Sequence, residues 1–226
     1  MSLPADHRTR IKICGLTREM DVVEAVNAGA DAVGFVLYEK SPRFVDVARA
    51  SELARLLPPF VTPVLLFVNA SDNLLQQAKE WVPNALWQFH GDEQPSDCER
   101  ALRPYIRAAR MAPGFNLLDF ACSYSSAQAI LVDAHVDGYG GGGQVFDWSM
   151  LPPNLARPIV LSGGLHPGNV IQGIKQVRPW AVDVSSGVES AKGIKDAQLM
   201  RQFCQAVRAA DRQCAEQVQS AAGAGA

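Results

Sequence analysis

The hydrophobic positions of this chain fall into short unbroken runs, separated by longer stretches that are apolar on one side only. The runs are Ile11–Cys14, Ala32–Leu37, Thr62–Val68, Leu86–Phe89, Ile106–Met111, Ala129–Val132, Ile159–Leu161 and Ala181–Val184. Short apolar runs bounded by turn residues predict strands covered on both faces. Between them the apolar residues recur at helical spacing, as in Val22, Val23 and Val26, in Ala50, Leu53, Ala54 and Leu57, and in Leu74, Leu75, Ala78, Trp81 and Val82. The punctuation agrees. Thr17 and Ser71 are placed to cap helices, Gly29 to stop one, Pro58-Pro59 and Pro83 to end them and Pro95 to start one. Further helices are predicted over Phe115–Cys122, Asn169–Val177 and Asp196–Glu216. The run Ile106–Met111 is a weaker strand candidate, because it carries Arg107 and Arg110.

Strands alternating with helices predict a parallel sheet with the helices outside it. Eight such runs in one chain of 226 residues favour a closed (β/α)8 TIM barrel, of the α/β class, over an open doubly wound sheet. An open sheet would show a G-x-G-x-x-G fingerprint after its first strand, and Cys14-Gly15-Leu16-Thr17 is not one. The reading is a single catalytic domain over 11–216. A polar extension, 1–10, precedes it, and a tail of small residues, 217–226, is expected to be disordered.

Composition narrows the functional classes. A hydrophobic fraction of 48% supports a large core, and a net charge of −2 with no Lys/Arg block offers no field for nucleic acid. Met1–Arg10 has no apolar segment of the signal-peptide kind, and no apolar run is long enough to span a bilayer. The five cysteines are irregularly spaced without a CxxC, which suggests reduced thiols in a cytoplasmic protein rather than disulfides or a zinc site.

In a barrel of this kind the chemistry stands at the C-terminal ends of the strands. Those ends carry Cys14, the loop with Arg43, Asn69, His90, Arg110, Asp133, and two turns of small residues, Ser162-Gly163-Gly164 and Ser185-Ser186-Gly187. Glycine turns leading into helix starts expose unpaired N–H groups that suit a phosphate, so Gly163, Gly164, Ser185, Ser186 and Gly187 are the candidate phosphate cradle. No His or Cys pair has metal-ligand spacing, so no metal is expected. A phosphate cradle with a thiol and a carboxylate suggests proton transfers on a sugar phosphate. Taken alone, Cys14 reads either as a core thiol or as a base, Arg43 as a surface or an anion-binding residue, and His90 as a hydrogen-bonded strand end or a pocket wall. Asp183 lies within a strand, where its charge needs a partner, and could line or support the site.

The motifs Ile11-Lys-Ile-Cys-Gly15, Val33-Gly-Phe-Val36, Ser41-Pro-Arg-Phe44, Gln88-Phe-His-Gly91, Leu131-Val-Asp133, Gly140-Gly-Gly-Gly-Gln-Val-Phe-Asp-Trp148, Leu161-Ser-Gly-Gly-Leu165, Val182-Asp-Val-Ser-Ser-Gly-Val-Glu189 and Lys192-Gly-Ile-Lys-Asp196 resemble, in this order, those of the phosphoribosylanthranilate isomerases of tryptophan biosynthesis. The resemblance covers about Arg10 to Ala209. It implies a cofactor-independent Amadori rearrangement of a small phosphosugar–anthranilate substrate by a monomer or homodimer. By similarity Asp133 is the general acid, Cys14 the general base, and Arg43 faces the anthranilate carboxylate. As a base, Cys14 would gain from a pKa tuned below the ordinary thiol value. The glycine run Gly140–Gly143 reads as a lid over the substrate. Here the chain departs from the family pattern, with Gly142 and Gln144 where a Thr or Ser and then a Lys are usual. Among other phosphosugar barrels, indole-glycerol-phosphate synthase should show a lysine ending a strand, and a ribulose-phosphate epimerase should show metal-binding His and Asp residues. Neither signal is present. A non-catalytic phosphosugar-binding module would keep the turns without needing Cys14 or Asp133.

Overall fold

The computed structural model describes residues 7–134, 146–152 and 154–223. The strands are β1 (Arg10–Cys14), β2 (Ala32–Val36), β3 (Thr62–Phe67), β4 (Leu86–Phe89), β5 (Tyr105–Met111), β6 (Ala129–Ala134), β7 (Ile159–Leu161) and β8 (Ala181–Val184). They pair in parallel in chain order and close, β8 onto β1, into a barrel. The α-helices are α1 (Glu19–Ala28), α2 (Val47–Ala54), α3 (Asp72–Trp81), α4 (Pro95–Arg100), α5 (Leu117–Ser123), α6 (Val170–Val177) and α7 (Ala197–Gly223). Between β6 and β7 the described residues hold only a 3-10 turn, Trp148–Met150.

Strand side chains alternate between two environments. Ile11, Ile13, Val33, Phe35, Leu65, Phe67, Trp87, Phe89, Ile130 and Val132 join the large cluster between sheet and helices. Their neighbours fill the barrel. Ile106, Ala108, Ala129, Leu131, Val160 and Ala181 form one inner cluster, and Cys14, Val36, Leu66 and Val68 form another. Lys12, Cys14, Gln88, His90, Asp133 and Asp183 belong to this inner set and are buried. Period-two alternation therefore delivers the polar groups to the interior.

Three local expectations are corrected. Thr17 does not cap α1: the helix begins at Glu19, and the Thr17 hydroxyl donates instead to the carbonyl of Gly193 at 2.9 Å. Ser71 does cap α3, accepting from the N–H of Leu74. The last helix does not stop at Glu216 but continues through 217–223, where Gln, Ser and Ala all tolerate helix and no Pro intervenes; 224–226 lie outside the described residues. The strand containing Arg107 is buried at every residue but Arg110 rather than weak. Arg107 points away from the barrel axis and donates to the carbonyls of Phe89 (2.9 Å), Gly91 (3.1 Å) and Glu93 (3.2 Å), with its guanidinium over the ring of Tyr124. Its charge is thus satisfied where a strand residue would otherwise be apolar. Part of the polar N-terminal extension is docked as well: Thr9 donates its N–H and its hydroxyl to Asp211 of α7, at 2.9 and 2.6 Å.

An additional element had no sequence signal. A small hairpin, β9 (Glu189–Ala191) and β10 (Ile194–Lys195), follows β8 and turns at Gly193, whose φ is 78°. It brings two charged side chains to the barrel mouth.

Candidate active site

Cys14 is the last residue of β1, and Lys12 stands two residues before it on the same inner face. Lys12 lies opposite Asp183 in the β1–β8 register, and the two form a buried ion pair with Nζ–Oδ1 of 2.9 Å. This is the partner that Asp183 requires. Burial disfavours both charges and pushes the Asp183 carboxyl up, while Asp183 and the Cys14 sulfur hold the Lys12 ammonium above its ordinary value. Replacing Asp183 by alanine would leave that ammonium uncompensated, at an expected cost of about 3–5 kcal/mol. A urea melt checks it; an unchanged midpoint would contradict the ionic reading.

The Cys14 sulfur has room because β2 offers no side chain against it. A Cβ on Gly34, its register partner, would come within 2.6 Å of Sγ. Burial pushes the Cys14 thiol up, while the ammonium groups of Lys12 and Lys195 pull it down and Asp183 pushes with burial. The net direction is upward, so the downward tuning expected from sequence is not a property of the protein alone. Other thiols are remote from this chemistry: burial pushes Cys98 up to about 12 and Cys204 up to about 11 among the outer helices.

Across the barrel, Asp133 near the end of β6 points one carboxylate oxygen back to the N–H of Ala134 at 2.8 Å. The other lies 3.3 Å from Nε2 of His90, the residue that follows β4. Nδ1 of His90 is 3.1 Å from the Gln88 amide nitrogen. With that amide as donor, Nδ1 is the acceptor and the ring N–H lies on Nε2, the nitrogen facing Asp133. The turn behind His90 is rigidly built. The Glu93 carboxylate accepts from the N–H groups of Asn69 (2.7 Å) and Gly91 (2.9 Å), and the Tyr124 hydroxyl donates to the Glu93 carbonyl (2.7 Å).

Arg43 lies in the loop after β2, packed over Gly15. Gly15 has φ of 78°, and a Cβ there would approach the Arg43 side chain to 2.5 Å. Arg43 is buried and grips Glu189 with two parallel hydrogen bonds, Nε to Oε1 at 2.7 Å and Nη2 to Oε2 at 2.8 Å. Lys195 donates to the same Oε1 at 2.7 Å and to the Ser185 carbonyl at 3.0 Å. The Ser185 hydroxyl donates to the carbonyl of Cys14 at 2.9 Å. Its side chain is therefore spent on the frame of the site, and only its backbone stays with the neighbouring turn.

The two small-residue turns meet. Gly163 and Gly164 both have positive φ, 79° and 64°. A Cβ on Gly163 would come within 2.5 Å of the Ala134 nitrogen and 3.0 Å of an Asp133 carboxylate oxygen. A Cβ on Gly187 would lie 1.9 Å from the Leu165 carbonyl, so the turn after β8 rests directly on the turn after β7. Among the described residues no partner is found for the N–H groups of Gly163, Gly164, Ser186 and Gly187.

The candidate residues other than Asp183 thus stand on one rim, because parallel strands of one closed barrel share their C-terminal ends, and Asp183 lies below that rim at the level of Lys12. Lys12, Glu189 and Lys195 were missed. Lys12 was detectable, since the period of two puts it on the face of Cys14 and one strand from Asp183. Glu189 and Lys195 were not, because the hairpin that aims them left no alternation to read. The Gly140–Gly143 lid, with Gly142 and Gln144, lies outside the described residues.

Residues 11–206 match the family model described as N-(5'-phosphoribosyl)anthranilate (PRA) isomerase. The chain belongs to the phosphoribosylanthranilate isomerase family. A family member from Leptothrix cholodnii is 71% identical over 204 residues, which span 90% of this chain and 93% of that one. A crystal structure of the isomerase from Thermotoga maritima is 39% identical, with a TM-score of 0.81, covering 89% of this chain and 99% of that one. A further crystal structure of the isomerase is a complex with reduced 1-(o-carboxyphenylamino)-1-deoxyribulose 5-phosphate. It is 36% identical, with a TM-score of 0.78, and covers 89% of this chain and 99% of that one. Among the described residues no helix is long and apolar enough to cross a membrane.

Proposed function

We propose that the chain converts N-(5-phospho-β-D-ribosyl)anthranilate to 1-(2-carboxyphenylamino)-1-deoxy-D-ribulose 5-phosphate, a step of tryptophan biosynthesis in the cytoplasm. The observation that carries this reading is the meeting, on one rim, of a thiol at Cys14, a carboxyl at Asp133 and two glycine turns with unpartnered N–H groups. The substrate phosphate sits on the N–H groups of Gly163, Gly164, Ser186 and Gly187, with the backbone of Ser185 bordering that turn. Asp133 gives a proton to the furanose ring oxygen, and the C1′–O bond opens to a Schiff base. Cys14, as thiolate, removes the proton from C2′, and the resulting enolamine takes up a proton at C1′ as its enol becomes the ketone. Nothing is oxidised or reduced between substrate and product as a whole, so this aldose–ketose isomerisation runs without a cofactor.

The remaining residues position the aromatic end. Arg43 uses Nε and Nη2 on Glu189. Its Nη1 has no hydrogen bond among the described residues and is directed to the anthranilate carboxylate. His90 keeps the Asp133 side of the pocket closed and polar, and Asp183 supports Cys14 from below through Lys12. Every residue of this site comes from one chain, so a monomer or a homodimer would each be active.

Purified protein is expected to form the aminoketose from the aminoaldose with no metal or nucleotide added, measured by separating the two chromatographically. Activity that appears only with a divalent ion would overturn the cofactor-free reading. Inorganic phosphate is expected to compete with the substrate; inhibition that excess substrate does not relieve would contradict the cradle.

A further inference from the structure

The chemistry proposed above leaves one requirement unmet: the base must be a thiolate, yet burial pushes Cys14 toward its protonated form. The buried groups around it supply a counterweight. Lys12, which also hydrogen-bonds the Cys14 sulfur, is matched in charge one to one by Asp183. On the other side, Arg43 and Lys195 share a single carboxylate, Glu189. The Lys195 side chain is completely shielded from solvent, at 0% exposure, so water does not make up the difference. Three cations thus face two carboxylates next to a neutral thiol. A thiolate at Cys14 would balance them.

We propose that Lys195 is a positioning residue whose buried ammonium makes the Cys14 thiolate attainable. The geometry couples the two through Ser185. Lys195 Nζ donates to the Ser185 carbonyl at 3.0 Å and to the Ser185 hydroxyl at 3.3 Å, and that hydroxyl donates to the Cys14 carbonyl at 2.9 Å. One side chain therefore fixes the backbone of Cys14 and places a positive charge beside it. The main chain of Lys195 is itself anchored, its N–H 3.3 Å from Asp21 of α1 and its carbonyl accepting from Arg18 at 3.4 Å. The other ionisable groups around the sulfur are Lys12 and Asp183 below it, Arg43 beside Gly15, and Tyr38, which borders the same inner cluster. His90 and Asp133 pair with each other on the far strands. Of the three cations, only Arg43 and Lys195 share a counter-ion, so the surplus charge of the free site lies with this pair. Lys195 also pulls the thiol down, less strongly than Lys12 does, and is itself lowered, first by burial. Both shifts are what a buried ammonium with a shared counter-ion should show.

The inference rests on reading Cys14 as the base, so its test separates the two. Carbamidomethylation of Cys14 by iodoacetamide would be followed by peptide mass spectrometry in the full chain, at several pH values below 9, with kcat measured in parallel. Lys195→Met is expected to slow alkylation of Cys14 about tenfold at each pH, equivalent to one pKa unit, and to lower kcat in proportion. Lys195→Arg, which keeps the charge, is expected to restore most of both and guards against a folding defect in the Met variant. Alkylation of folded Lys195→Met at the wild-type rate would overturn the proposal, as would an Arg variant as slow as the Met variant. Slowed alkylation with unchanged kcat would uphold the charge effect and refute Cys14 as the base.

Discussion

Cys14→Ala is expected to lower kcat on the order of 10³-fold while KM changes little. The sulfur ends β1 on the inner face, buried, in a space kept open by Gly34, where the ammonium groups of Lys12 and Lys195 both act on it. Alanine removes the proton acceptor and leaves that frame standing, since Lys12 keeps Asp183 and Lys195 keeps Glu189. Substrate binding relies on the turns and on Arg43, so the loss belongs to the step at C2′ and to kcat. The check is steady-state kinetics together with a melt showing that the variant is folded. A wild-type kcat would remove Cys14 from the mechanism and return it to the core-thiol reading that its burial also permits.

Asp133→Asn is expected to cost a similar factor, on the order of 10³ in kcat, for a different reason. Asparagine is nearly isosteric, and its side-chain oxygen can still accept from the Ala134 N–H that now binds an Asp133 oxygen at 2.8 Å. What it lacks is a proton to give to the ring oxygen. Ring opening would then limit the rate, and substrate should still bind. The two variants can be told apart with a substrate deuterated at C2′. Cys14→Ala should show an isotope effect on kcat, because proton removal from C2′ is its slow step. Asp133→Asn should show little, because its slow step precedes that removal. A large effect in Asp133→Asn would contradict the assignment of acid and base.

Much of the architecture was legible because it rests on the two strongest periodic signals. The eight apolar runs all became barrel strands, with ends shifted by at most two residues. They are covered on both sides, so they read as continuous hydrophobic segments rather than alternating ones. Helix starts were less legible. Thr17 has the right residue type for a cap, but a tertiary partner, the Gly193 carbonyl, claims its hydroxyl. Arg107 looked like a flaw in its strand because its compensation is spread over three backbone carbonyls and an aromatic ring distant in sequence.

The site divides the same way. Cys14, His90, Asp133 and the glycine turns were visible as strand ends, where a barrel collects its chemistry. Asp183 was visible as a charge needing a partner, and the register shows that partner to be Lys12. Glu189 and Lys195 were hidden, since their place depends on a short hairpin whose turn at Gly193 has no distinctive neighbours. The direction of the Cys14 shift was hidden for a related reason: it depends on how far burial outweighs cations contributed by two separate segments, β1 and β10.

The central claim is a placement. A phosphate held at one edge of the barrel mouth lets the sulfur and the carboxyl reach the two ends of a single reacting carbon–carbon–oxygen unit. A crystal structure of this protein with reduced 1-(o-carboxyphenylamino)-1-deoxyribulose 5-phosphate bound tests it most directly. The account predicts the phosphate on the N–H groups of Gly163, Gly164, Ser186 and Gly187, the aromatic carboxylate on Arg43, and the sugar carbons between Cys14 and Asp133. A phosphate seated elsewhere, or a sugar that touches neither Cys14 nor Asp133, would contradict it.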